Sequence, residues 1–377
     1  MSRAAIRPER AQKAVPATKS NVARTGGQIL VDSLLRHGVT LAFCVPGESY
    51  LAALDALHDV RDRLKLIVCR HESGVTNMAE AYGKVTGRPG IAFVTRGPGA
   101  TNAAVGIHTA FQDSTPLIMF VGDVARDQRE REAFQEVDFP AFFRPLAKWA
   151  ARIEDPARIP EFVARAFQTA TSGRMGPVVL ALPEDMLTEA AVAAETAPYR
   201  PIQPMPSPAD LYAFRDHLAG AKRPLLIVGG SGWTARAVAD ITAFAEANKL
   251  PVSCAWRGQD CFDNAHPHYV GDTGLGMSPA LAERVKESDL LIVAGPRLGE
   301  MTTQGYTLLD VPVPKQKLVH VLPSAEELGR VYQPTLAVLS AMPGFAAAAR
   351  ALQPVDAQAW AGRAAEMNAA YKQTLVP

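Results

Sequence analysis

The sequence predicts an α/β protein with two doubly wound, Rossmann-like domains, each built on a parallel sheet. Short, continuous apolar runs alternate with helical patterns, which is typical of parallel strands that are covered on both faces. The alternation stops at a proline-rich stretch and then starts again. The length of 377 residues suits two or three domains of roughly 100–200 residues each. We therefore expect two domains joined by a linker.

The first domain is predicted over residues 25–195. Its first helix ends before Gly38, a residue type that commonly stops helices. The predicted helices span residues 25–37, 51–57, 74–85, 100–111 and 159–171, and the predicted strands span 41–45, 66–69, 91–95, 117–121 and 178–182.

A linker is predicted at residues 196–209, where five prolines interrupt any periodic pattern. The second domain is predicted over residues 210–355, with strands at 225–228, 252–254, 289–294, 317–322 and 336–339. Residues 356–377 are predicted to form a C-terminal helix and the start of a further linker.

The first 24 residues carry six Lys/Arg and a single acid, Glu9, without apolar periodicity. A basic, Ala-rich leader is compatible with an organelle transit peptide. No amphipathic helix with an arginine face emerges, so a disordered basic tail is the preferred interpretation.

Composition excludes several classes of function. A net charge of +1 gives no reason to expect nucleic acid as a partner, and the absence of an 18-residue apolar run argues against a membrane span. The four cysteines form no C-x-x-C pair, and Cys44 and Cys69 lie in apolar runs. We therefore expect no zinc site, no disulfide framework, no metal ligands in this chain and a reducing, cytoplasmic location.

The strand-to-helix turns carry the candidate chemistry. Right-handed crossovers place these turns along one edge of a parallel sheet, where ligands bind. Glu72 follows a strand and precedes a helix, so the helix dipole favours its anion whereas burial favours the neutral acid. Such a carboxyl group is suited to exchanging a proton with a bound heterocycle. The alternative is an acid that stabilises a helix start and does nothing else.

A second turn runs from Thr95 to Asn102. Gly97 and Gly99 allow the backbone to approach a ligand, and amide groups at the helix start are able to hold an anion or a polar ring edge. A tight turn shaped by Pro98 is the alternative. Neither motif decides the function by itself.

The motifs in combination resemble a known family. They are PG at 46–47, CRHE at 69–72, AEAYG at 79–83, TG at 86–87, GPGATN at 97–102, DSTPL at 113–117, GDV at 122–124, FQE at 134–136 and GPVVLALP at 176–183. In this order and spacing they resemble the pyrimidine-binding domain of thiamine-diphosphate enzymes of the acetolactate synthase type. The resemblance extends into the second domain, over residues 25–365.

The resemblance implies a role for each matching residue. Glu72 would hydrogen-bond to N1′ of the aminopyrimidine and thereby activate the cofactor for attack on a pyruvate-like 2-oxo acid, with loss of CO₂ and transfer of the acyl group to a second carbonyl. Catalytic roles fall to Glu72 and Gln135, cofactor contacts to Pro46, Gly47, Glu48, Thr95, Gly97, Pro98, Gly99 and Asn102, and the substrate pocket to Ser49, Arg96 and Phe134.

Four positions in three motifs depart from the family pattern. Glu48 and Ser49 follow Gly47 where the family has Gly-Ala, Arg96 replaces a serine, and Asp123 replaces a glutamine. The charged residues imply either an altered acceptor pocket or ion-paired structural positions, and the second interpretation is preferred.

The second domain resembles the central domain of the same family, which holds FAD in acetolactate synthases. Gly229, Gly230 and Arg297 are the candidate FAD contacts. The acidic pattern expected after a later strand appears here as His320-Val-Leu-Pro323, without a carboxylate. A purely structural nucleotide fold is therefore favoured slightly over a flavin site.

The family usually has a third domain that binds the diphosphate and Mg²⁺ through a Gly-Asp-Gly motif, and no such motif occurs in this sequence. We expect a truncated longer polypeptide, with a separate subunit or a loss of catalysis as alternatives, and a homodimer or homotetramer by analogy. Other functions left open are a thiamine-diphosphate decarboxylase or aldehyde lyase, a non-catalytic or half-site subunit, and a generic nucleotide-binding protein.

Overall fold

A computed structural model describes residues 22–376, and the predicted pair of α/β domains is confirmed. Most of the predicted basic tail lies outside the described residues. The tail prediction is wrong for Arg24, because this residue is in a short strand and its guanidinium donates to Asp32 at 2.5 Å. The ordered part of the first domain therefore begins before Thr25.

The first domain has eight strands, two of which form a separate short ladder. They are β1 (Arg24–Thr25), β2 (Leu41–Cys44), β3 (Lys65–Val68), β4 (Gly90–Val94), β5 (Leu117–Asp123), β6 (Trp149–Arg152), β7 (Pro177–Pro183) and β8 (Ala190–Ala191). Six of them form a parallel sheet in the order β3-β2-β4-β5-β7-β6, and β1 pairs with β8.

Seven helices belong to this domain: α1 (Gly26–Arg36), α2 (Leu51–Asp59), α3 (Glu72–Thr86), α4 (Gly97–Asp113), α5 (Phe139–Phe143), α6 (Ile159–Thr171) and α7 (Glu184–Thr188). Alternate side chains of β4 enter two different cores. Ile91 and Phe93 pack in the core that includes α1 residues, whereas Ala92 and Val94 pack in the core that includes α4 residues. Burial on both faces explains the continuous apolar run of this strand.

The second domain repeats the arrangement. Its strands are β9 (Pro224–Val228), β10 (Val252–Ala255), β11 (Tyr269–Thr273), β12 (Leu290–Ala294), β13 (Lys317–Leu322) and β14 (Leu336–Leu339), and its helices are α8 (Pro208–Ala219), α9 (Ala235–Ala247), α10 (Pro279–Glu287), α11 (Met342–Ala351) and α12 (Arg363–Gln373). The sheet is parallel, in the order β11-β10-β9-β12-β13-β14.

Two predicted boundaries need correction. Helix α8 begins at Pro208 with Ser207 as its N-cap, so the linker is shorter at its end than predicted. The predicted C-terminal helix is present as α12, and it packs on the second domain, which was predicted to end at residue 355. The Asn368 side chain donates to the Tyr269 carbonyl at 2.7 Å, and Trp360 is buried in the core of the second domain. This segment completes the second domain because it covers the edge strand β11.

Polar contacts join the two domains at the C-terminal end of α4. Arg174 belongs to the first domain and donates to the Phe111 carbonyl of α4 at 2.6 Å. Arg297 of the second domain donates to the Gln112 carbonyl at 2.8 Å. Arg257 of the second domain forms an ion pair with Asp113. Cationic groups stabilise the C-terminus of a helix because they complement its exposed carbonyls and its dipole. The last turn of α4 is therefore part of the domain joint, which we define as these contacts together with an ion pair between Arg174 and Glu327.

Candidate functional site

The predicted site residues lie where four adjacent strands end. The strands β3, β2, β4 and β5 are neighbours in that order, and each runs into a turn at the same edge of the sheet. Parallel strands place their carboxyl ends together, so residues that are far apart in sequence meet at this edge.

Glu72 is the buried acid of this edge. It is the first residue of α3, whose N-cap His71 accepts from the Ser73 amide at 3.2 Å. The Glu72 side chain is 9% exposed, and its Oε2 atom accepts a hydrogen bond from Asn102 Nδ2 at 3.0 Å. No residue between 22 and 376 donates a hydrogen bond to Oε1. One carboxylate oxygen is thus held in place, and the other is available to a ligand.

The contact between Glu72 and Asn102 depends on the close packing of α3 against α4. A Cβ atom on Gly106 would lie 2.3 Å from Thr76 Oγ1, so only glycine permits this approach. The Thr76 hydroxyl donates across the helix pair to the Ala103 carbonyl at 3.0 Å. The sequence predicted Glu72 and Asn102 as site residues, but it did not predict the hydrogen bond between them.

The glycine turns bring backbone close to the acid. A Cβ atom on Gly47 would lie 2.4 Å from Thr95 Cβ, and one on Gly99 would lie 3.2 Å from Glu72 Oε1. Gly99 is therefore packed closely beside the unbonded carboxylate oxygen, because a Cβ atom at this position would also lie 2.8 Å from Thr95 Cγ2. Pro46 and Pro98 flank these glycines and are exposed.

Ser49 does not line an open pocket, which corrects its predicted place in the substrate site. The side chain is buried, and its Oγ lies 3.0 Å from Thr95 Oγ1. A Cβ atom on Gly122 would lie 2.0 Å from Ser49 Oγ, so the hydroxyl is packed between Thr95, which follows β4, and Gly122 of β5. Ser49 thus joins the end of β4 to β5 and does not line a cavity.

The loop that carries Phe134 and Gln135 is tied to the start of α4. The Gly97 amide donates to the Gln135 carbonyl at 3.0 Å, and Arg96 Nη1 donates to the Phe134 carbonyl at 3.3 Å. Gln135 has a positive φ of 62°, and the Phe134 side chain is 74% exposed. The structure therefore brings both residues to the predicted edge, with the Phe134 ring directed toward solvent.

Two of the unusual charges, Arg96 and Asp123, are ion-paired in the structure. Arg96 pairs with Glu184, and Arg152 Nε lies 2.6 Å from Asp123 Oδ2. Burial raises the pKa of Asp123, while the hydrogen bond and charge of Arg152 act in the opposite direction. Sequence reasoning missed both partners, Glu184 and Arg152. Glu48 is exposed, and no ion pair of the described chain includes it.

The glycines of the second domain serve packing. A Cβ atom on Gly230, whose φ is +72°, would lie 2.2 Å from the Gly295 carbonyl oxygen. The Trp233 indole donates to the Gly229 carbonyl at 2.7 Å, and Arg297 is hydrogen-bonded to Gln112 at the domain joint. These contacts give Gly229 and Gly230 a packing role in the second domain.

Within the described range, no three His, Cys, Asp or Glu side chains converge as metal ligands. A search of the same range for a helix with the length and apolarity needed to cross a bilayer found none.

Comparison with known families identifies the two domains. Residues 24–142 match the family described as thiamine pyrophosphate enzyme, N-terminal TPP binding domain, and residues 212–351 match the thiamine pyrophosphate enzyme central domain. Together the two matches cover more than half of the chain. The chain belongs to the thiamine pyrophosphate (thiamine diphosphate) enzyme family.

Three similar proteins are named as large subunits of acetolactate synthase. The chain is 36% identical over 329 residues to the acetolactate synthase large subunit of Parasynechococcus marenigrum (strain WH8102), covering 84% of this chain and 52% of the relative. It is 30% identical over 344 residues to the isozyme 2 large subunit of acetolactate synthase from Escherichia coli (strain K12), covering 91% and 61% respectively. The corresponding values for the acetolactate synthase large subunit of Cyanidium caldarium are 32% over 333 residues, covering 85% and 56%. The chain thus spans only about half to three fifths of the length of these relatives.

Proposed function

We propose that this chain supplies the pyrimidine-binding half of a thiamine-diphosphate site, in which Glu72 Oε1 bonds to N1′ of the aminopyrimidine. The observation that carries the proposal is the different hydrogen bonding of the two oxygens of the Glu72 carboxyl group. Oε2 is held by Asn102, whereas Oε1 lies beside the side-chain-free backbone of Gly99 and accepts no hydrogen bond from the described residues. A preorganised acceptor of this kind loses little freedom when a ligand binds.

Residues of this chain position the aminopyrimidine and hold the proton at its N1′ atom. The start of α3 places positive backbone charge at Glu72, and burial makes the carboxyl group responsive to a polar ring. Glu72 holds the proton at N1′, and Asn102 fixes the rotamer from which it does so. Bound thiamine diphosphate supplies the reactive carbon and the electron sink for decarboxylation of a 2-oxo acid.

We propose that a further domain binds the diphosphate and Mg²⁺. The sequence has no Gly-Asp-Gly motif, and the described residues hold no cluster of acidic and imidazole ligands. That domain would come from a longer polypeptide or from another subunit of a homodimer or homotetramer. Exposed apolar side chains on the α3–α4 side of the site, Met78 and Val105, support an assembly that covers this surface.

For the reaction, we propose decarboxylation of a pyruvate-like 2-oxo acid followed by acyl transfer to a second carbonyl compound, as the names of the relatives suggest. A thiamine-diphosphate decarboxylase or aldehyde lyase is the second candidate, and the exposed charge of Glu48 beside Gly47 favours an acceptor pocket unlike that of the relatives. A half-site subunit that needs a partner chain is the third. Product analysis with pyruvate distinguishes them: acetolactate supports the first, acetaldehyde the second, and turnover only after a different partner chain is added the third.

For the central domain, we propose a structural role without FAD, because Gly229 and Gly230 serve packing and Arg297 serves the joint. Flavin absorbance that copurifies in stoichiometric amount would contradict this.

The test of the cofactor proposal is exchange of the proton at C2 of thiamine diphosphate in the assembled enzyme. We expect Glu72→Gln to slow this exchange by about 100-fold or more, which is typical when a positioned proton-transfer group is lost. Glu80→Gln is a matched control, since Glu80 is equally buried on the same helix and bonds to Thr115 instead of a ligand. Exchange at the wild-type rate in Glu72→Gln would remove Glu72 from its role.

A second measurement concerns residues 1–377 alone. We expect calorimetry to detect only weak binding of thiamine diphosphate with Mg²⁺, because few charge-assisted contacts are available to the diphosphate. Tight, Mg²⁺-dependent binding would show that this chain holds the whole cofactor.

A further inference from the structure

The loop after β5, residues 124–137, contains three left-handed residues and no glycine. Glu130, Glu132 and Gln135 have φ values of 61°, 55° and 62°. Residues other than glycine rarely adopt a positive φ, and they keep it only where surrounding contacts hold the backbone. Strained residues of this kind concentrate at functional sites. The contacts that hold this loop are therefore of functional interest.

The tip of the loop is a tight turn over residues 133–136. The Glu136 amide donates to the Ala133 carbonyl at 2.9 Å, and Gln135 with its positive φ occupies the third position of the turn. A turn with a positive φ at the third position normally has glycine or asparagine there. Because glutamine takes that place here, the turn needs support beyond its own backbone hydrogen bond.

The Glu136 carboxylate supplies this support through two hydrogen bonds, which we call the Glu136 clip. Its Oε1 accepts from the Glu130 amide at 2.7 Å, and its Oε2 accepts from the Ala133 amide at 3.0 Å. The Glu130 and Ala133 amides lower the pKa of Glu136, so the side chain is ionised near pH 7. Hydrogen bonds to an ionised acceptor are stronger than neutral ones. One side chain therefore closes the turn and also ties it to a second left-handed residue.

The turn is also bonded to the start of α4, next to the Glu72 site. The Gly97 amide donates to the Gln135 carbonyl at 3.0 Å, and Arg96 Nη1 donates to the Phe134 carbonyl at 3.3 Å. The backbone of residues 134 and 135 is thus held by α4 on one side and by the Glu136 clip on the other. The Phe134 ring is nevertheless 74% exposed. A large apolar side chain on a rigid backbone at the edge of a site is suited to contact a second molecule.

The loop and the Glu72 carboxylate are held by different contacts. Among the described residues, Asn102 is the one that donates to the Glu72 side chain, and Gly99 packs beside its other oxygen. The Glu136 clip lies within its own loop and reaches the site through Phe134 and Gln135. Loss of the clip should therefore displace the turn and leave the Glu72 carboxylate in place.

We propose that Glu136 is a positioning residue that acts through the Phe134–Gln135 turn on the substrate and not on activation of the cofactor. This inference rests on the function proposed above. The clip keeps Gln135 at its positive φ and the Phe134 ring at the edge of the site, where the ring contacts the compound that reacts at the cofactor. Without the clip, the turn relaxes to negative φ and the ring moves away from that compound.

The first measurement is hydrogen–deuterium exchange of the assembled enzyme, followed in peptides that cover residues 127–137. Glu136→Ala removes both acceptors, so we expect the amides of Glu130 and Ala133 to exchange about tenfold faster than in the wild type. Glu130→Gln is the matched control, because it removes the same charge from an exposed side chain of the same loop and keeps the amide. Exchange at the wild-type rate in Glu136→Ala overturns the clip.

The second measurement compares two rates in the assembled enzyme: exchange of the C2 proton of thiamine diphosphate, and product formation from the 2-oxo acid that the wild type consumes fastest. We expect Glu136→Ala to keep the wild-type rate of C2 exchange and to lower kcat/KM of product formation about 10-fold to 100-fold, since a displacement of about 1 Å at a reacting group has effects of this size. Glu136→Gln keeps one acceptor oxygen and should lie between Glu136→Ala and the wild type.

The outcomes separate this inference from the proposed function. Absence of C2 exchange in the wild type overturns the proposed function, and the effect of Glu136 on the substrate with it. Normal C2 exchange together with a wild-type kcat/KM in Glu136→Ala overturns the inference alone. An equal loss of both rates in Glu136→Ala also overturns it, because a role that only stabilises the edge of the sheet would affect cofactor activation and product formation alike.

Discussion

The two sheets of this protein end in similar glycine-containing turns that are used in opposite ways. At the first sheet, Gly99 brings backbone without a side chain next to an unbonded oxygen of Glu72. At the second sheet, Gly230 lies against the backbone of Gly295, and no space remains between them. A glycine after a parallel strand therefore does not identify a ligand site by itself. What distinguishes the first turn is the polar group with unused hydrogen-bonding capacity beside it.

The largest expected effect tests the packed turn. Gly230→Ala should lower the free energy of unfolding by more than about 4 kcal/mol, because its Cβ meets the Gly295 carbonyl oxygen at a positive φ. Gly276→Ala is the control, since it has a similar φ of +81° but open space around its Cβ. Denaturant unfolding measures both. Equal losses in the two variants would mean that backbone conformation, not close packing, explains Gly230.

The next effect concerns the buried ion pair between Arg152 of β6 and Asp123 of β5. Arg152→Leu leaves the Asp123 carboxylate buried without its partner, which should cost about 3–5 kcal/mol. Arg158→Leu removes an exposed ion pair with Glu161 and should cost less than about 1 kcal/mol. If thermal unfolding shows the same loss of stability for Arg152→Leu and Arg158→Leu, the buried ion pair does not stabilise the first sheet.

Acid should weaken the first domain through His37. Burial, with a smaller contribution from Arg36, lowers the pKa of His37 to about 4 from its ordinary 6.5. The unfolded state then binds a proton more readily than the folded state. The resulting stability is complete above pH 6.5 and is lost as the pH falls toward 4, by about 3 kcal/mol at most.

The variant His37→Gln isolates this contribution, because it keeps an acceptor for the Tyr199 amide but does not titrate. We expect its free energy of unfolding to fall less steeply than that of the wild type between pH 6.5 and 4. Identical slopes in urea titrations would assign the acid sensitivity to other groups, among them His320 of the second domain, whose pKa burial also lowers.

The smallest effect on stability belongs to the turn beside Glu72. Gly99→Ala should lower the free energy of unfolding by about 1–2 kcal/mol, because the added Cβ would lie 2.8 Å from Thr95 Cγ2 and the turn must shift to relieve this contact, although alanine favours the helix. It should also weaken thiamine-diphosphate binding to the assembled enzyme about tenfold. Gly74→Ala, at a position with open space near the start of α3, should leave binding unchanged. Normal binding by Gly99→Ala would mean that the position beside Glu72 Oε1 is not used.

Much of the fold could be predicted because buried parallel strands are continuous apolar runs. The strand β13 and the helix α6 were predicted with their observed bounds. The strands β6 and β11 were missed. Both lie at sheet edges, where Arg152 in one and Gly271 and Asp272 in the other interrupt the apolar pattern.

The site was predictable in its location more than in its contacts. Chain topology alone gathers the strand-to-helix turns, so Glu72 and Gly99 were expected at one edge. The hydrogen bond from Asn102 depends on how α3 packs against α4, and the burial of Ser49 depends on the approach of Gly122. Such contacts follow from three-dimensional packing between elements, which no local pattern records.

Helix α4 links the turn beside Glu72 to the second domain. It has 17 residues and so extends for about 25 Å, from Gly97 to the carbonyls that accept from Arg174 and Arg297. An α-helix of this length behaves as a stiff rod. A change of a few degrees in the angle between the domains would therefore shift the Gly97 end relative to Glu72, and a compound wedged between the domains would disturb cofactor binding without touching the cofactor.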